Sequence, residues 1–340
     1  MSRTTGGWFD HDVRPTSLWA RAGIVWALLT LLCFVPGVVC SALGLSSLAG
    51  LAAIGAIGGA LSTVAGGSRL GIEVSIGVGV ASGLALLCTG NPWLALLLFL
   101  ALGLLVGIRG MAGSWPSLIY VPMAAGFALG EDPTLNANPM VNGLIAAIAL
   151  AGSGLLATLV AWFTSKRMPP RTATPISRTR GITYGVALGI LLGAAAFAMD
   201  ALSLDHTGSW IILTIVIVLQ PYVQDAWRKS LERAAGTIIG VLIAMLIGIA
   251  VSLPTIIYVI GIIAMFLAIV AQLDRKPYWV FAIPLTVGIV CFVSAGRHVI
   301  DTAEQRLIAT LIGAAAALLV TLIVGPVSRR KARQAGIDHY

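Results

Sequence analysis

Long runs of uncharged, mostly apolar residues alternate along this chain with short clusters of charge, Pro and Gly. Ala22 to Ser68 carries no charge and has room for two membrane-crossing helices, with a hairpin near Cys40 to Ser47. A crossing helix needs about 20 apolar residues. Val74 to Ile108 gives two more, divided at Thr89-Gly90-Asn91-Pro92, a strong turn signal. Gly110 to Gly130 reads as one span and Met140 to Thr164 as a sixth. Gly181 to Met199 is the seventh and Gly208 to Gln224 the eighth. Ala234 to Leu273 breaks at Ser252-Leu253-Pro254 into the ninth and tenth. Pro277 to Gly296 and Leu307 to Ser328 complete twelve predicted helices. The runs are continuously apolar instead of alternating, which excludes a transmembrane barrel.

Composition sets the class. Of the 340 residues, 58% are apolar and only 10% charged, against about 25% charged in an ordinary soluble chain. With a mean hydropathy of +0.98 there is too little polar surface for a water-facing body. The chain reads as an all-α integral membrane protein without a large aqueous domain. Its predicted organisation is a cytoplasmic tail over 1–17, a first six-helix unit over 18–165, and a polar, Pro-containing linker over 166–180. A second six-helix unit covers 181–328, and a basic tail 329–340. Arg3, Asp10, Asp12, Arg14 and Arg21 do not form the pattern of a cleaved signal peptide.

The net charge of +8 has a topological meaning. With the N-terminus cytoplasmic, all but Arg297 and Arg306 of the 21 Lys and Arg residues fall on the cytoplasmic side. The outer loops then hold Glu131, Asp132, Asp200, Asp205, Asp301 and Glu304. This obeys the positive-inside rule and places both termini inside, as expected for a multi-pass protein of the bacterial cytoplasmic membrane. The basic balance therefore calls for a lipid bilayer and not for nucleic acid, for which no motif is present. Cys33, Cys40, Cys88 and Cys291 have neither disulfide nor zinc spacing and read as small apolar fillers.

The halves resemble each other. A shift of 159 superposes Arg21 on Arg180, Arg69 on Arg228, Glu73 on Glu232 and Gly77 on Gly236. Slightly larger shifts superpose Pro122 on Pro284, Gly126 on Gly288, and Leu144-Ile145-Ala146 on Leu307-Ile308-Ala309. Six helices per unit is an even number, so the two units share one orientation and are related by an axis along the membrane normal.

Candidate chemistry concentrates in the second half. Trp210 and Thr214 precede Gln220-Pro221, where Pro should end or kink a helix. Next come Arg228, Lys229, Glu232, Arg233, Gly236, Thr237 and Gly240. Lys229 and Arg233 are four apart and share a helix face. A helix N-terminus attracts anions through its free N–H groups and dipole, so basic residues there make an anion site at the cytoplasmic mouth. The competing reading is topology charge with packing glycines. Arg69 with Glu73 and Arg228 with Glu232 read as structural ion pairs.

These motifs resemble the fusaric acid resistance (FUSC) and aromatic acid exporter superfamily, a pattern shared by plant aluminium-activated malate channels. The resemblance rests on Trp210-x-x-Leu213-Thr214, the Pro221 helix end, Lys229-x-x-x-Arg233-x-x-Gly236-Thr237-x-x-Gly240, and Arg306-Leu-Ile-Ala-Thr310-Leu-Ile-Gly313. It is clear over Arg180 to Val327 and weak before that. It implies six-helix units, transport of organic and often aromatic carboxylates, and Lys229 and Arg233 near the permeation path. Two departures stand out. The linker leaves no room for the cytoplasmic domain that many relatives carry, and the first half lacks the motif. There Leu70, Val74, Leu51, Leu61 and Gly143 occupy the positions of Lys229, Arg233, Trp210, Gln220 and Arg306.

The expected substrate site is therefore Lys229, Arg233, Thr237, Gln220, Thr214, Trp210 and Arg306. Arg306 is expected at the outer mouth, either paired with Asp301 or Glu304 or attracting exiting anions. Asp200 and Asp205 beside His206 read as a solvated acidic loop or a proton relay. Trp115-Pro116 and Tyr278-Trp279 read as interfacial anchors or stacking partners. No catalytic constellation, nucleotide-binding loop, metal-ligand spacing or cofactor motif is evident. The expected function is export of organic or aromatic carboxylates driven by the proton gradient. A passive anion channel and a non-transporting envelope scaffold are the alternatives. The duplication lets one chain form the whole pathway, as a monomer or within a homodimer.

Overall fold

A computed structural model describes residues 18–131, 136, 138–165, 175–219, 221, 223–251, 253–274, 276–293 and 299–334. The described residues are mostly helical, with no strand among them. In chain order the helices are α1 (Leu18–Ala42), a 3-10 turn (Ser46–Leu48), α2 (Ala49–Gly66), α3 (Ser68–Cys88), α4 (Pro92–Gly110), α5 (Trp115–Leu118), α6 (Tyr120–Gly130), α7 (Pro139–Ser165), α8 (Arg178–Ala201), α9 (Asp205–Val218), α10 (Val223–Ala250), α11 (Pro254–Leu273), α12 (Tyr278–Val293) and α13 (Val299–Gln334). Among the described residues, eight helices are long and apolar enough to cross a membrane. Three apolar helices are shorter: Pro116–Gly130, Thr207–Val218 and Tyr278–Cys291. At 1.5 Å per residue these reach roughly 18–22 Å, less than the ~30 Å of hydrocarbon.

Turn chemistry places the breaks where the sequence puts them. At Thr89-Gly90-Asn91-Pro92, Gly90 takes a positive φ of 80°, open only to a residue without a Cβ penalty. Asn91 caps α4 by accepting from the Leu94 N–H at 3.2 Å, and Pro92 takes the first helical position. The run Gly110 to Gly130, expected as one span, starts its helix later. Gly110 ends α4, Gly113 turns the chain at φ 76°, and α5 and α6, parted only at Ile119, follow as one apolar stretch from Pro116 to Gly130. A charge-free run shows where water is avoided, but the glycines within it decide where the helix stops.

Each half packs by a similar scheme. In the first, α3 lies against α6 and α7, α2 against α7, and α1 against α2. In the second, α10 lies against α12 and α13, α9 against α13, and α8 against α9. The halves meet where α4 runs along α8, with lighter contacts of α6 on α9 and of α1 on α11. The α4–α8 seam is built on glycine. A methyl group on Gly103 would strike the Gly189 backbone, and one on Gly107 would strike Gly181 and Gly185. In hydrocarbon there is no hydrophobic drive between helices, so such close backbone approach supplies the dispersion contact that joins them. The exterior carries exposed Ile76, Leu97, Ile148, Leu246 and Ile263, as a lipid-facing surface should.

Gly185→Leu should separate α4 from α8, because its side chain would overlap the Gly107 and Leu104 backbone. Overpacking of this kind costs about 1–3 kcal/mol or more. Gly152 has open space around it, so Gly152→Ala should instead stabilise by up to about 1 kcal/mol through helix propensity. Thermal unfolding in detergent would distinguish them; equal shifts would remove the glycine seam as the organising contact.

Candidate anion-binding site

Arg233 sits on α10, well inside the helix. Because α10 begins at Val223, Arg233 lies about 15 Å along the helix axis from its first residue. This corrects the expected helix-terminus capture site: the free N–H groups of the first turn are too far away to share a ligand with Arg233. Pro221 does end the preceding helix, with α9 stopping at Val218 and Leu219 extended. The next helix then resumes at once, so its basic residues fall in the second and third turns. In the first half α3 starts at Ser68, directly before Arg69, so the two halves differ here.

α13 runs antiparallel to α10. Ser230 Oγ approaches the Ala314 carbonyl at 3.5 Å, and Gly248 faces Val299. This register sets Arg233 and Thr237 at the level of Thr310 and Arg306. Arg306 is only 2% exposed, so it is not at an open outer mouth. Its guanidinium carbon lies 4.0 Å from the ring centroid of Trp210 on α9. Trp210 in turn meets Phe127 of α6 edge-on, with centroids 4.9 Å apart. The guanidinium therefore rests on an indole face that is itself held by a second aromatic ring.

Arg233, also 2% exposed, donates from Nη1 to the Tyr278 hydroxyl at 2.9 Å. The adjacent Glu232 accepts from the Tyr278 backbone N–H at 3.1 Å, so consecutive residues of α10 grip the first residue of α12 from both ends. Neither arginine forms an ion pair among the described residues. Nε and Nη2 of Arg233, Nε and Nη1 of Arg306, and Oγ1 of Thr310 are buried without a hydrogen-bond partner. An arginine at a bilayer centre costs about 2.5–3.5 kcal/mol by insertion scales, and such residues normally find partners. Here two share one level of the bundle with donors spare, which is the chemistry an anion would accept from.

The remaining expected residues divide. Thr237 is buried one turn beyond Arg233. Thr214 returns its hydroxyl to the Trp210 carbonyl at 2.8 Å and packs on Gly313, so it joins α9 to α13. Gln220 and the side chains of Lys229 and Arg228 lie outside the described residues. Tyr278 and Thr310 were not among the expected site residues. Tyr278 stands at a helix start, where an aromatic reads as an interfacial anchor, and only the α10–α12 packing shows its hydroxyl on Arg233. Thr310 was legible as one turn after Arg306, but its significance depends on what faces α13.

In the first half Arg69 pairs with Glu73 at 3.3 Å, as expected, and Arg109 at the end of α4 also bonds Glu73. Val74, in the place of Arg233, is fully buried, and Gly143, in the place of Arg306, is pressed against the Gly83 carbonyl and Leu87. The first half is therefore packed shut where the second carries charge. Asp200 is also better understood. Its Oδ1 accepts from the Gly90 N–H at 2.8 Å, tying the end of α8 to the α3–α4 turn.

These buried arginines lie within the segment that matches a known family. Residues 194–320 match the model of the fusaric acid resistance protein-like family. The match runs from within α8 to α13 and contains Trp210, Arg233, Tyr278, Arg306 and Thr310. It supports the FUSC resemblance of the second half. No curated protein and no solved structure matches the chain.

Tyr278→Phe should lower stability by about 1–3 kcal/mol, because it leaves a further buried guanidinium N–H unmatched. Glu73→Gln should cost about 0–1 kcal/mol, since Arg69 is almost fully exposed and the pair is screened by solvent. Thermal unfolding of the two variants would test the order; a larger loss from Glu73→Gln would reverse the assignment of the charge-bearing core.

Proposed function

We propose that this protein is a membrane carrier for organic carboxylate anions, aromatic ones included. The carrying observation is the pair of buried arginines, Arg233 and Arg306, with unmatched donors and no ion pair among the described residues. A guanidinium offers the planar donor fork that fits a carboxylate bidentately. Trp210 and Phe127 provide an aromatic wall beside it. The family match supports a transport role over an enzymatic one.

Several further features belong to this reading. Twelve helices form two like-oriented six-helix units, both termini are cytoplasmic, and the protein resides in a bacterial cytoplasmic membrane. In support, Gly77 packs on Val121 of α6 and Gly236 on Ala282 of α12, similar contacts in the two halves. One pathway runs through the chain, lined mainly by the second half, so a monomer suffices for transport. Arg306 opposite Gly143 is the clearest asymmetry: a glycine draws α7 onto α3, whereas an arginine holds a charged group between α13, α10 and α9. A carrier fits better than an open channel, because both guanidiniums are closed off from solvent.

Purified protein in liposomes should move labelled benzoate and phthalate. Arg233→Ala should remove most of that flux while expression and topology persist. One charged hydrogen bond is worth about 1.5–3 kcal/mol, so apparent affinity should fall about ten-fold or more. Arg233→Lys should recover only part, keeping charge but losing the fork. Neutralising Arg69 and Glu73 together should cost less. Flux unchanged in Arg233→Ala, or equal losses from both changes, would overturn the asymmetric pathway.

A further inference from the structure

We propose that the carrier is an obligate anion exchanger: the Arg233–Arg306 site changes the side it faces only when occupied, so inorganic anions such as chloride must return, charge for charge, for the organic carboxylate that leaves. The proposal rests on the reading of this pair as the substrate site and adds how the cycle is coupled.

A carrier must return to its starting orientation after releasing its cargo. If the empty site is electrically neutral, that step is free. Here it is not. Arg233 and Arg306 lie at one level of the antiparallel α10–α13 pair, each 2% exposed. Their neighbours are Tyr278, Trp210 and Thr310, none of which carries a negative charge at neutral pH. The carboxylate nearest in sequence, Glu232, is engaged with the α12 backbone at Tyr278. Asp301 and Glu304 of α13 are exposed rather than turned into the bundle. Among the described residues no carboxylate is therefore available to swing in and neutralise the pair when substrate departs. A proton cannot do so either, since protonation only adds positive charge. An empty reorientation would leave two like, desolvated charges uncompensated inside the bundle. One dianion or two monoanions cancel that charge using donors already present.

The surrounding packing enforces the rule. Arg233 and Glu232 together hold the start of α12, and Arg306 sits on Trp210 of α9, so the site touches four helices at once. An anion bonded to both guanidiniums would therefore be held by all four of these helices. On this proposal the coupling ion is a counter-anion, whereas the sequence led us to expect a proton.

The test uses the purified full chain in two arms. In detergent, thermal unfolding is followed with lactobionate, a bulky anion, then with chloride or phthalate. In liposomes at equal pH on both sides and with the membrane potential clamped, uptake of labelled phthalate is measured into vesicles loaded with chloride, phthalate or lactobionate. Chloride and phthalate should each raise the melting temperature, and Arg306→Gln should flatten that dependence. Uptake should run about ten-fold or more faster into chloride- or phthalate-loaded vesicles than into lactobionate-loaded ones, as expected when empty reorientation carries a buried-charge cost. Labelled chloride should leave as phthalate enters.

Equal uptake into all vesicles, with the anion-dependent melting intact, would overturn exchange while leaving the anion site in place. Anion-dependent melting without flux in any vesicle would also overturn exchange and leave a binding site only. Melting insensitive to all three anions, in wild type and in Arg306→Gln alike, would overturn the site itself.

Discussion

A buried guanidinium keeps its charge under all ordinary conditions, so an apolar bundle that encloses one must provide donors' partners, water or an anion. Arg233 and Arg306 impose that constraint twice within one region. The second half can be understood as the set of elements needed to hold them. α9 stops at Val218 and presents Trp210 to Arg306. α12 begins at Tyr278, whose hydroxyl and backbone N–H are held by Arg233 and Glu232. Small residues let the helices come close enough to reach. Gly236 and Gly240 admit the Trp279 and Ile283 carbonyls of α12, and Gly313 admits Thr214 of α9.

The first half solves the opposite problem. Its helices close on one another through Gly55, Gly59, Gly79 and Gly83, each against α7. The few polar groups inside are hydroxyls satisfied largely within the bundle. Thr63 donates to the Gly59 carbonyl, Ser75 to Gly71, and Ser75 meets Thr158 at 3.3 Å. Its charges stay toward the periphery, where Glu73 gathers Arg69 and Arg109. This half is closely packed and joined to the charged half along the glycine seam of α4 and α8.

Helix interruption has a specific role in this arrangement. The three short helices end or begin inside the bundle, where a full-length span would pass straight through. Breaks free backbone groups that must then be matched. Leu219, past the end of α9, offers its carbonyl to the Tyr184 hydroxyl of α8 at 3.4 Å, and the first N–H of α12 goes to Glu232. Both breaks lie in the half that carries the arginines.

Much of this architecture was legible without coordinates. Charge-free runs located the helices, because hydrocarbon excludes charge regardless of what packs beside it. Gly90-Asn91-Pro92 gave its turn, because backbone preference is local. Trp210, Arg233, Thr237 and Arg306 were picked out as chemically unusual for their surroundings. Three things required the folded chain. The start of α10 at Val223 moved Arg233 away from the helix terminus, since charges mark where water begins and not where a helix does. The burial of Arg306 beside Trp210 depended on α9 and α13 meeting at Thr214 and Gly313, residues almost 100 positions apart. The parts of Tyr278 and Thr310 depended on the antiparallel register of α10 with α13 and on the packing of α12. Local patterns report how each segment meets water and lipid, but which charges face one another is set by contacts between distant segments, and those exist only in the assembled bundle.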